Sequence, residues 1–241
     1  MPSSLIELKD VSYAPEGKPV LSQISLSANE RRIGIVGRNG SGKTSLARVM
    51  AGLIPADTGR VRIDGADVAK DRKAALRRVG ILFQNPDHQI IFPTVKEEIG
   101  FGLSQMGQSH AQVQAGVTQV LARFDKTHWA DAAIHQLSQG QRQLVCLMSV
   151  LAMAPAVIIL DEPFAGLDIP TTRQLERVLA GLDVTLVQIT HAPEAVRDYD
   201  RVIWLDGGRV QRDGDAAAVL GAFGAAMMHM GEGDDLSDLA G

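Results

Sequence analysis

Cysteine is almost absent from this chain of 241 residues: Cys146 stands alone. One thiol excludes an intrachain disulfide framework and a cysteine-based metal site, and its simplest home is a reducing cytoplasm. Blocks of Lys or Arg are missing too, and the net charge is −4, so the chain has no electrostatic footprint for nucleic acid. The opening Met1-Pro2-Ser3-Ser4 lacks the basic start and apolar stretch of a signal peptide. The longest apolar run, Leu144 to Ile159, is broken by Pro155 and falls short of a membrane span. Any membrane association is therefore expected to come through a partner. His88, His110, His128, His135 and His229 show no metal-ligand spacing, and no internal repeat is visible.

What remains is ordinary globular composition, 45% hydrophobic and 22% charged, in a length suited to one or two domains. Leu5–Tyr13 and Val20–Leu26 read as strands, separated by the turn residues Pro15, Gly17 and Pro19. Arg31–Val36, Arg60–Gly65 and Gly80–Phe83 are further strands, with a helix over Gly42–Met50. Residues 94–150 or so carry helical spacing and many polar residues, which predicts a helical insert. Beyond it the pattern gives a helix (Gln141–Met153), strands Val157–Leu160 and Val184–Thr190 around a helix (Thr171–Leu182), a short helix (Glu194–Tyr199) and a hairpin (Val202–Gln211). Alternating strands and helices predict a mostly parallel α/β sheet, with an antiparallel β subdomain from the N-terminal strands. Residues 1–220 then form the main domain. Residues 221–241 supply the end of a short apolar helix (Ala216–Met230) and a loose acidic tail around Gly231-Glu232-Gly233-Asp234-Asp235.

Gly37-Arg38-Asn39-Gly40-Ser41-Gly42-Lys43-Thr44 fits G-x-x-x-x-G-K-[ST] between a predicted strand and helix. Glycines let such a loop wrap a phosphate with its N–H groups, and the helix adds its positive end. Lys43 supplies a point charge to the β- and γ-phosphates, and the Thr44 hydroxyl is a hard ligand for Mg²⁺. Asn39, Gly40, Ser41, Gly42, Lys43, Thr44 and Ser45 are the candidate nucleotide contacts.

The apolar strand Val157–Leu160 ends in Asp161-Glu162, at the carboxyl end where open parallel sheets place ligands. Asp161 is suited to the Mg²⁺ shell and Glu162 to the attacking water. Read alone, the pair could equally begin a turn before Pro163.

Leu137-Ser138-Gln139-Gly140-Gln141 closely resembles the ABC ATPase signature L-S-G-G-Q, with Gln139 at its variable third position. The resemblance spans residues 5 to about 215 and implies a P-loop NTPase core of the ABC type that binds ATP and Mg²⁺. It implies that Gln84 senses metal and water, that Gly166-Leu167-Asp168 is the D-loop and that His191 contacts the γ-phosphate. It also implies that Tyr13 stacks on adenine. The catalytic set is then Glu162, His191, Gln84 and Lys43, and the metal set Thr44, Gln84 and Asp161. Ser138, Gln139, Gly140, Gln141 and Asp168 are implied to reach an ATP held by a second copy, in a head-to-tail dimer that closes around two nucleotides.

Three functional classes compete: a transport ATPase, a soluble ABC protein of DNA repair or translation, and a P-loop enzyme of metabolism. The signature opposes the third, and the second usually carries zinc cysteines, coiled coils or fused ATPase units that this chain lacks. The run Gln84-Asn85-Pro86-Asp87 through Phe101-Gly102 resembles the energy-coupling-factor ATPases that serve importers of vitamins, cobalt or nickel. The short C-terminal segment resembles the single-ATPase systems for biotin or a metal ion, with biotin preferred. The implied partners are a second ATPase subunit, a transmembrane coupling subunit and a substrate-capturing membrane protein, on the inner face of the cell membrane. Asp87, Glu97 and Glu98 are the candidate docking acids.

Overall fold

Strands that alternate and strands that do not alternate fold into two different sheets. In the computed structural model, which describes residues 5–233, the first half runs β1 (Ile6–Tyr13), β2 (Leu21–Ala28), β3 (Arg32–Val36), α1 (Lys43–Met50), β4 (Thr58–Ile63), β5 (Ala66–Asp67), α2 (Arg72–Arg78) and β6 (Val79–Leu82). The second half runs α3 (Val95–Gln105), α4 (His110–Arg123), α5 (Gln139–Ala152), β7 (Val157–Asp161), α6 (Ile169–Ala180), β8 (Thr185–Thr190), β9 (Arg201–Asp206), β10 (Arg209–Gly214) and α7 (Ala216–Gly233).

The antiparallel sheet has the order β2-β1-β4-β5. In β2, Leu21, Ile24, Leu26 and Ala28 are buried while Gln23, Ser25 and Ser27 are exposed, the pattern of a sheet with one face on the core. The second sheet has the order β10-β9-β3-β8-β7-β6. Its five strands β9, β3, β8, β7 and β6 are parallel, and β10 closes the edge as a hairpin. Every residue of β7 and β8 is buried, because helices or the other sheet cover both faces.

That two-sided burial explains the unbroken apolar run of β7. Val157 and Ile159 join Leu46, Met50 and the antiparallel sheet in one core. Ile158 and Leu160 join α3, α4 and α5 in the other. The helical layer is thus fastened to the sheet by alternate residues of the strand that carries Asp161 at its end.

The outline matches the expected α/β core, antiparallel subdomain and helical insert, with local differences. α2 was not expected: four of its seven residues are Arg or Lys, and only Ala75 is buried, so no apolar stripe marks it. Its start is fixed instead by Asp71, whose side chain accepts from Ala74 N at 2.9 Å. α5 and α6 begin at Gln139 and Ile169, each directly after a capping side chain, Ser138 or Asp168. The expected helix at Glu194–Tyr199 is a 3₁₀ turn over Pro193–Val196. The acidic segment read as loose is helical through Gly233, and its remainder, residues 234–241, lies outside the described residues. α7 seats Val219 and Phe223 against Val36, Val202 and Trp204. The Trp204 and Phe223 rings meet edge to face at 5.6 Å.

Among the described residues, no helix is long and apolar enough to cross a membrane.

Candidate nucleotide site

Parallel pairing delivers the carboxyl ends of β6, β3, β7 and β8 to one edge of the sheet. Gln84, the Gly37 loop, Asp161-Glu162 and His191 all follow those ends, so four separate sequence motifs converge by topology alone.

The loop after β3 requires glycine for space as well as for conformation. A Cβ on Gly37 would stand 2.2 Å from the Leu205 carbonyl oxygen, and Gly42, with φ of 99°, would place one 2.8 Å from the Val20 oxygen. Gly42 is also the N-cap of α1 and offers no capping side chain. The first N–H groups of α1 therefore remain available to an anion.

Lys43 is only 7% exposed, and Nζ donates to Gly37 O and Arg38 O at 2.8 Å each. Burial pushes its pKa down, against the opposing pull of Glu162 and Asp161. Asp161 is 4% exposed. Burial pushes its carboxyl up and the neighbouring Glu162 adds to this, while the Thr44 hydroxyl, with Oγ1 at 3.4 Å from Oδ1, works the other way. Both charges are held in the fold at a cost, the usual sign of groups kept for chemistry.

Glu162 has φ of 50°, a left-handed conformation uncommon for a residue with a side chain. That turn sends its carboxylate back over the sheet edge, where Oε1 lies 2.8 Å from His191 Nδ1 and Oε2 accepts from Thr190 Oγ1 at 3.3 Å. Glu162 and His191 then share a cavity of about 370 Å³ with Lys43, Thr44, Ser45, Asn39, Gly40, Gly42, Gln84 and Val20. The cradle fits a nucleoside triphosphate and Mg²⁺. The helix end is uncapped, the buried Ser41 hydroxyl has no partner among the described residues, and the hydroxyl–carboxylate pair Thr44–Asp161 is a hard oxygen donor set.

Tyr13 is half-buried against the core and is not a cavity wall. Its carbonyl accepts from Val20 N at 2.9 Å, which places it one strand pairing from the pocket. The second group of expected residues stands apart. None of Ser138, Gln139, Gly140, Gln141 or Asp168 lines this cavity. Ser138 and Gln141 form a reciprocal capping box on α5: Ser138 N donates to Gln141 Oε1 at 2.8 Å and Gln141 N to Ser138 Oγ at 3.3 Å. Gly140 is glycine because a Cβ there would meet Thr171 Cγ2 at 2.2 Å. The Gln139 amide lies against Gly166 and donates to Ala165 O at 3.4 Å. Asp168 caps α6 through Thr171 N at 2.9 Å.

The docking acids divide. Asp87 is exposed, with Oδ1 2.9 Å from Arg142 Nε. Glu97 is exposed and accepts from Thr94 Oγ1 at 2.5 Å. Glu98 departs from expectation: it is 5% exposed, and Oε2 accepts from Ile91 N at 2.9 Å and Phe92 N at 3.0 Å. Its charge is used inside the fold to hold the 91–92 turn, so it is not free for a partner. An apolar groove of about 260 Å³ is walled by Leu53, Leu76, Phe83, Phe101 and Met153, and none of the three acids lines it. Phe101 and Phe92 stack in tilted contact at 5.1 Å. Sequence reasoning missed the wall from α2, which has no apolar stripe to announce it, and the buried Gln143.

Comparison with known proteins agrees with this geometry. The family model described as ABC transporter matches residues 21–165, and the chain belongs to that family as one of its ATPase subunits. It is 51% identical to the biotin transport ATP-binding protein BioM of Rhodobacter capsulatus, covering 92% of this chain and 95% of that one. It is 35% identical to the energy-coupling factor transporter ATP-binding protein EcfA of Methanothermobacter thermautotrophicus, over 87% of this chain and 70% of that one. Among solved structures it resembles cbiO1 of Clostridium perfringens, part of the ABC transporter complex cbiONQ, with a TM-score of 0.78, 29% identity and 91% of each chain covered. It also resembles the ATP-binding cassette MJ0796, solved as a dimer bound to ADP and phosphate, with a TM-score of 0.76, 25% identity and coverage of 88% and 98%.

Proposed function

We propose that this chain hydrolyses ATP as a head-to-tail dimer on the inner face of the cell membrane and powers an importer of the energy-coupling-factor type, with biotin as cargo. The carrying observation is the division of the expected nucleotide contacts. Lys43, Thr44, Gln84, Glu162 and His191 share one cavity, while the signature residues are absent from its walls. A second copy is the natural source of the missing wall.

In this reading the free N–H groups of the Gly37 loop and Lys43 hold the phosphates, and Tyr13 supplies a face for adenine. Mg²⁺, held by Thr44, Asp161 and Gln84, would compensate the charge of the β- and γ-phosphate oxygens. Glu162 accepts a proton from the attacking water, and His191 orients that carboxylate and reaches the γ-phosphate. Ser138, Gly140 and Asp168 of the second copy complete the site, so ATP joins the two chains and its hydrolysis releases them. A transmembrane subunit docks in the groove walled by Leu53, Phe83 and Phe101, and the exposed Glu97, with Asp87 shared between Arg142 and the partner, meets a basic side chain.

The identity to BioM supports biotin over a metal ion. The test is uptake of labelled biotin by cells carrying this chain with its encoded membrane partners. Uptake that requires those partners and stops with Glu162→Gln supports the reading. Uptake of cobalt or nickel instead would replace biotin and leave the ATPase role standing.

A further inference from the structure

Gln143 lies in the early part of α5, 1% exposed. Its Nε2 donates to Phe83 O at 3.2 Å and to Pro163 O at 3.4 Å, and its Oε1 has no partner among the described residues. Both neighbours are carbonyl acceptors, so only the amide nitrogen can face them. Phe83 immediately precedes Gln84, and Pro163 immediately follows Glu162. A single buried amide therefore grips the backbone beside both groups assigned to metal and water. A need for packing alone would be met by an apolar side chain, as α5 does with Leu144, Val145 and Leu147. Here a polar group is kept with half its hydrogen-bonding capacity unused, which stability does not favour.

The helix carrying Gln143 is the one that begins at Ser138. Arg142 strengthens the same seam: Nε lies 2.9 Å from Asp87 Oδ1, and Nη1 donates to Leu137 O at 2.6 Å. α5 is thus tied at one end to the segment after β6 and to the segment after β7, while its N-terminus carries the signature.

We propose that Gln143 is a positioning residue for hydrolysis: its amide locks the Gln84 and Glu162 segments to the signature helix, so that the water-orienting groups of one site move with the helix lent to the other. This rests on the composite-site reading above. Gln143 does not line the nucleotide cavity and acts through the two backbones it holds. Removing the donor leaves the phosphate cradle intact but frees Gln84 and Glu162 to drift, which harms the chemical step rather than ATP binding.

The test uses the purified full-length chain with ATP and Mg²⁺. Gln143→Met keeps length and apolar bulk but has no donor. It is expected to lower kcat about tenfold while leaving KM for ATP within about twofold, with little change in melting temperature. Gln143→Glu has a donor only when its carboxyl is protonated, so its kcat relative to the original chain should climb as pH falls. A purely structural role would give that recovery only in step with the melting temperature, so kcat is compared at temperatures well below unfolding at every pH. Wild-type kcat in Gln143→Met, or a kcat loss that tracks a fall in melting temperature with no acid recovery in Gln143→Glu, overturns the inference. Should Gln143→Met fail to fold, the pH profile of Gln143→Glu decides, read together with its melting temperature at each pH: acid recovery of kcat with an unchanged melting temperature supports the inference, and recovery that tracks the melting temperature overturns it. Glu162→Gln run alongside separates the two levels of the argument. If it turns over near the original rate, the site reading itself fails and this inference with it. If it is inactive while Gln143→Met is normal, only the role of Gln143 is lost.

Discussion

α1 and α5 both start at a motif expected to meet phosphate, yet their N-termini are built in opposite ways. α1 is capped by Gly42 with no side-chain hydrogen bond, and its loop glycines leave backbone donors free. α5 is capped by Ser138 and Gln141, which satisfy one another's N–H groups. An uncapped end costs helix stability and is kept where a ligand does the capping; an end closed by a capping box has part of its donors satisfied by its own side chains. The difference teaches a division of labour. Under the proposed function the α1 end grips nucleotide within one chain, and the α5 end contributes when a second chain presses ATP onto it.

The strongest way to probe the α1 side is to remove its chemistry and keep its grip. Glu162→Gln is expected to lower turnover about 1,000-fold, since it deletes the group that accepts a proton from water. ATP binding should persist, and size-exclusion chromatography should show a dimer with ATP and a monomer without it. Turnover close to the original rate removes Glu162 from its role.

Contrasting the two helix ends directly comes next. Lys43→Ala should weaken ATP binding by the isolated chain about 100-fold in calorimetry, a change of roughly 3 kcal/mol. Ser138→Ala should leave that binding unchanged, because its helix end does not face its own cavity. It should still depress hydrolysis, and loss of the cap should cost about 1 kcal/mol of stability in denaturant titration. Equal loss of binding in both variants would erase the proposed division.

The docking acids extend the same contrast between groups used within the chain and groups offered outward. Glu98→Lys leaves the Ile91 and Phe92 N–H groups without their acceptor and buries a charge, so it should cost about 3 kcal/mol or more in thermal unfolding. Glu97→Lys should fold and bind ATP normally but impair assembly with the membrane subunit, measured by co-purification; Asp87→Lys should impair it too, while also breaking the contact with Arg142. Unchanged assembly in both places the docking surface elsewhere.

The smallest effect concerns the cost of keeping Asp161 in the site. Its carboxyl pKa is raised on folding by burial, so the folded chain holds that proton more tightly than the unfolded one. The associated stability is present below the unfolded carboxylate range and is lost as pH rises through the raised value, leaving a constant penalty at neutral pH. Asp161→Asn should therefore raise the melting temperature by a few degrees at pH 7, with no gain near pH 3, and abolish Mg²⁺-dependent hydrolysis. A lower melting temperature at pH 7 would show that the Thr44–Asp161 contact outweighs desolvation.

The contrast between the helix ends also marks how far sequence could lead. The Gly37–Thr44 loop and the Asp161-Glu162 strand end were legible because backbone geometry and phosphate chemistry demand those residue types at fixed spacing. β7 was legible because burial on both faces leaves an unbroken apolar run, and β8 because Leu186, Val187 and Ile189 keep most of one despite the buried Gln188. α2 was not, since a short basic helix with Ala75 as its one buried residue has no period to detect. Glu98 and Glu97 read alike as adjacent acids on a helix, and only the fold of the 91–92 turn shows one facing in and the other out. Gln143 was overlooked because its significance lies in two carbonyls, at Phe83 and Pro163, that are far from it in sequence.

The claim that one chain's signature completes another chain's site is tested most directly by mixing two defective chains. In a Glu162→Gln background that retains ATP, Lys43→Ala removes the grip and Ser138→Arg blocks the lent helix end. Each variant alone should trap no nucleotide on size-exclusion chromatography. Mixed, they should form a dimer holding a single ATP, at the one interface where an intact Lys43 loop meets an intact Ser138. If the mixture traps no more ATP than the two variants measured separately, the site is not shared between chains and the account is wrong at its centre.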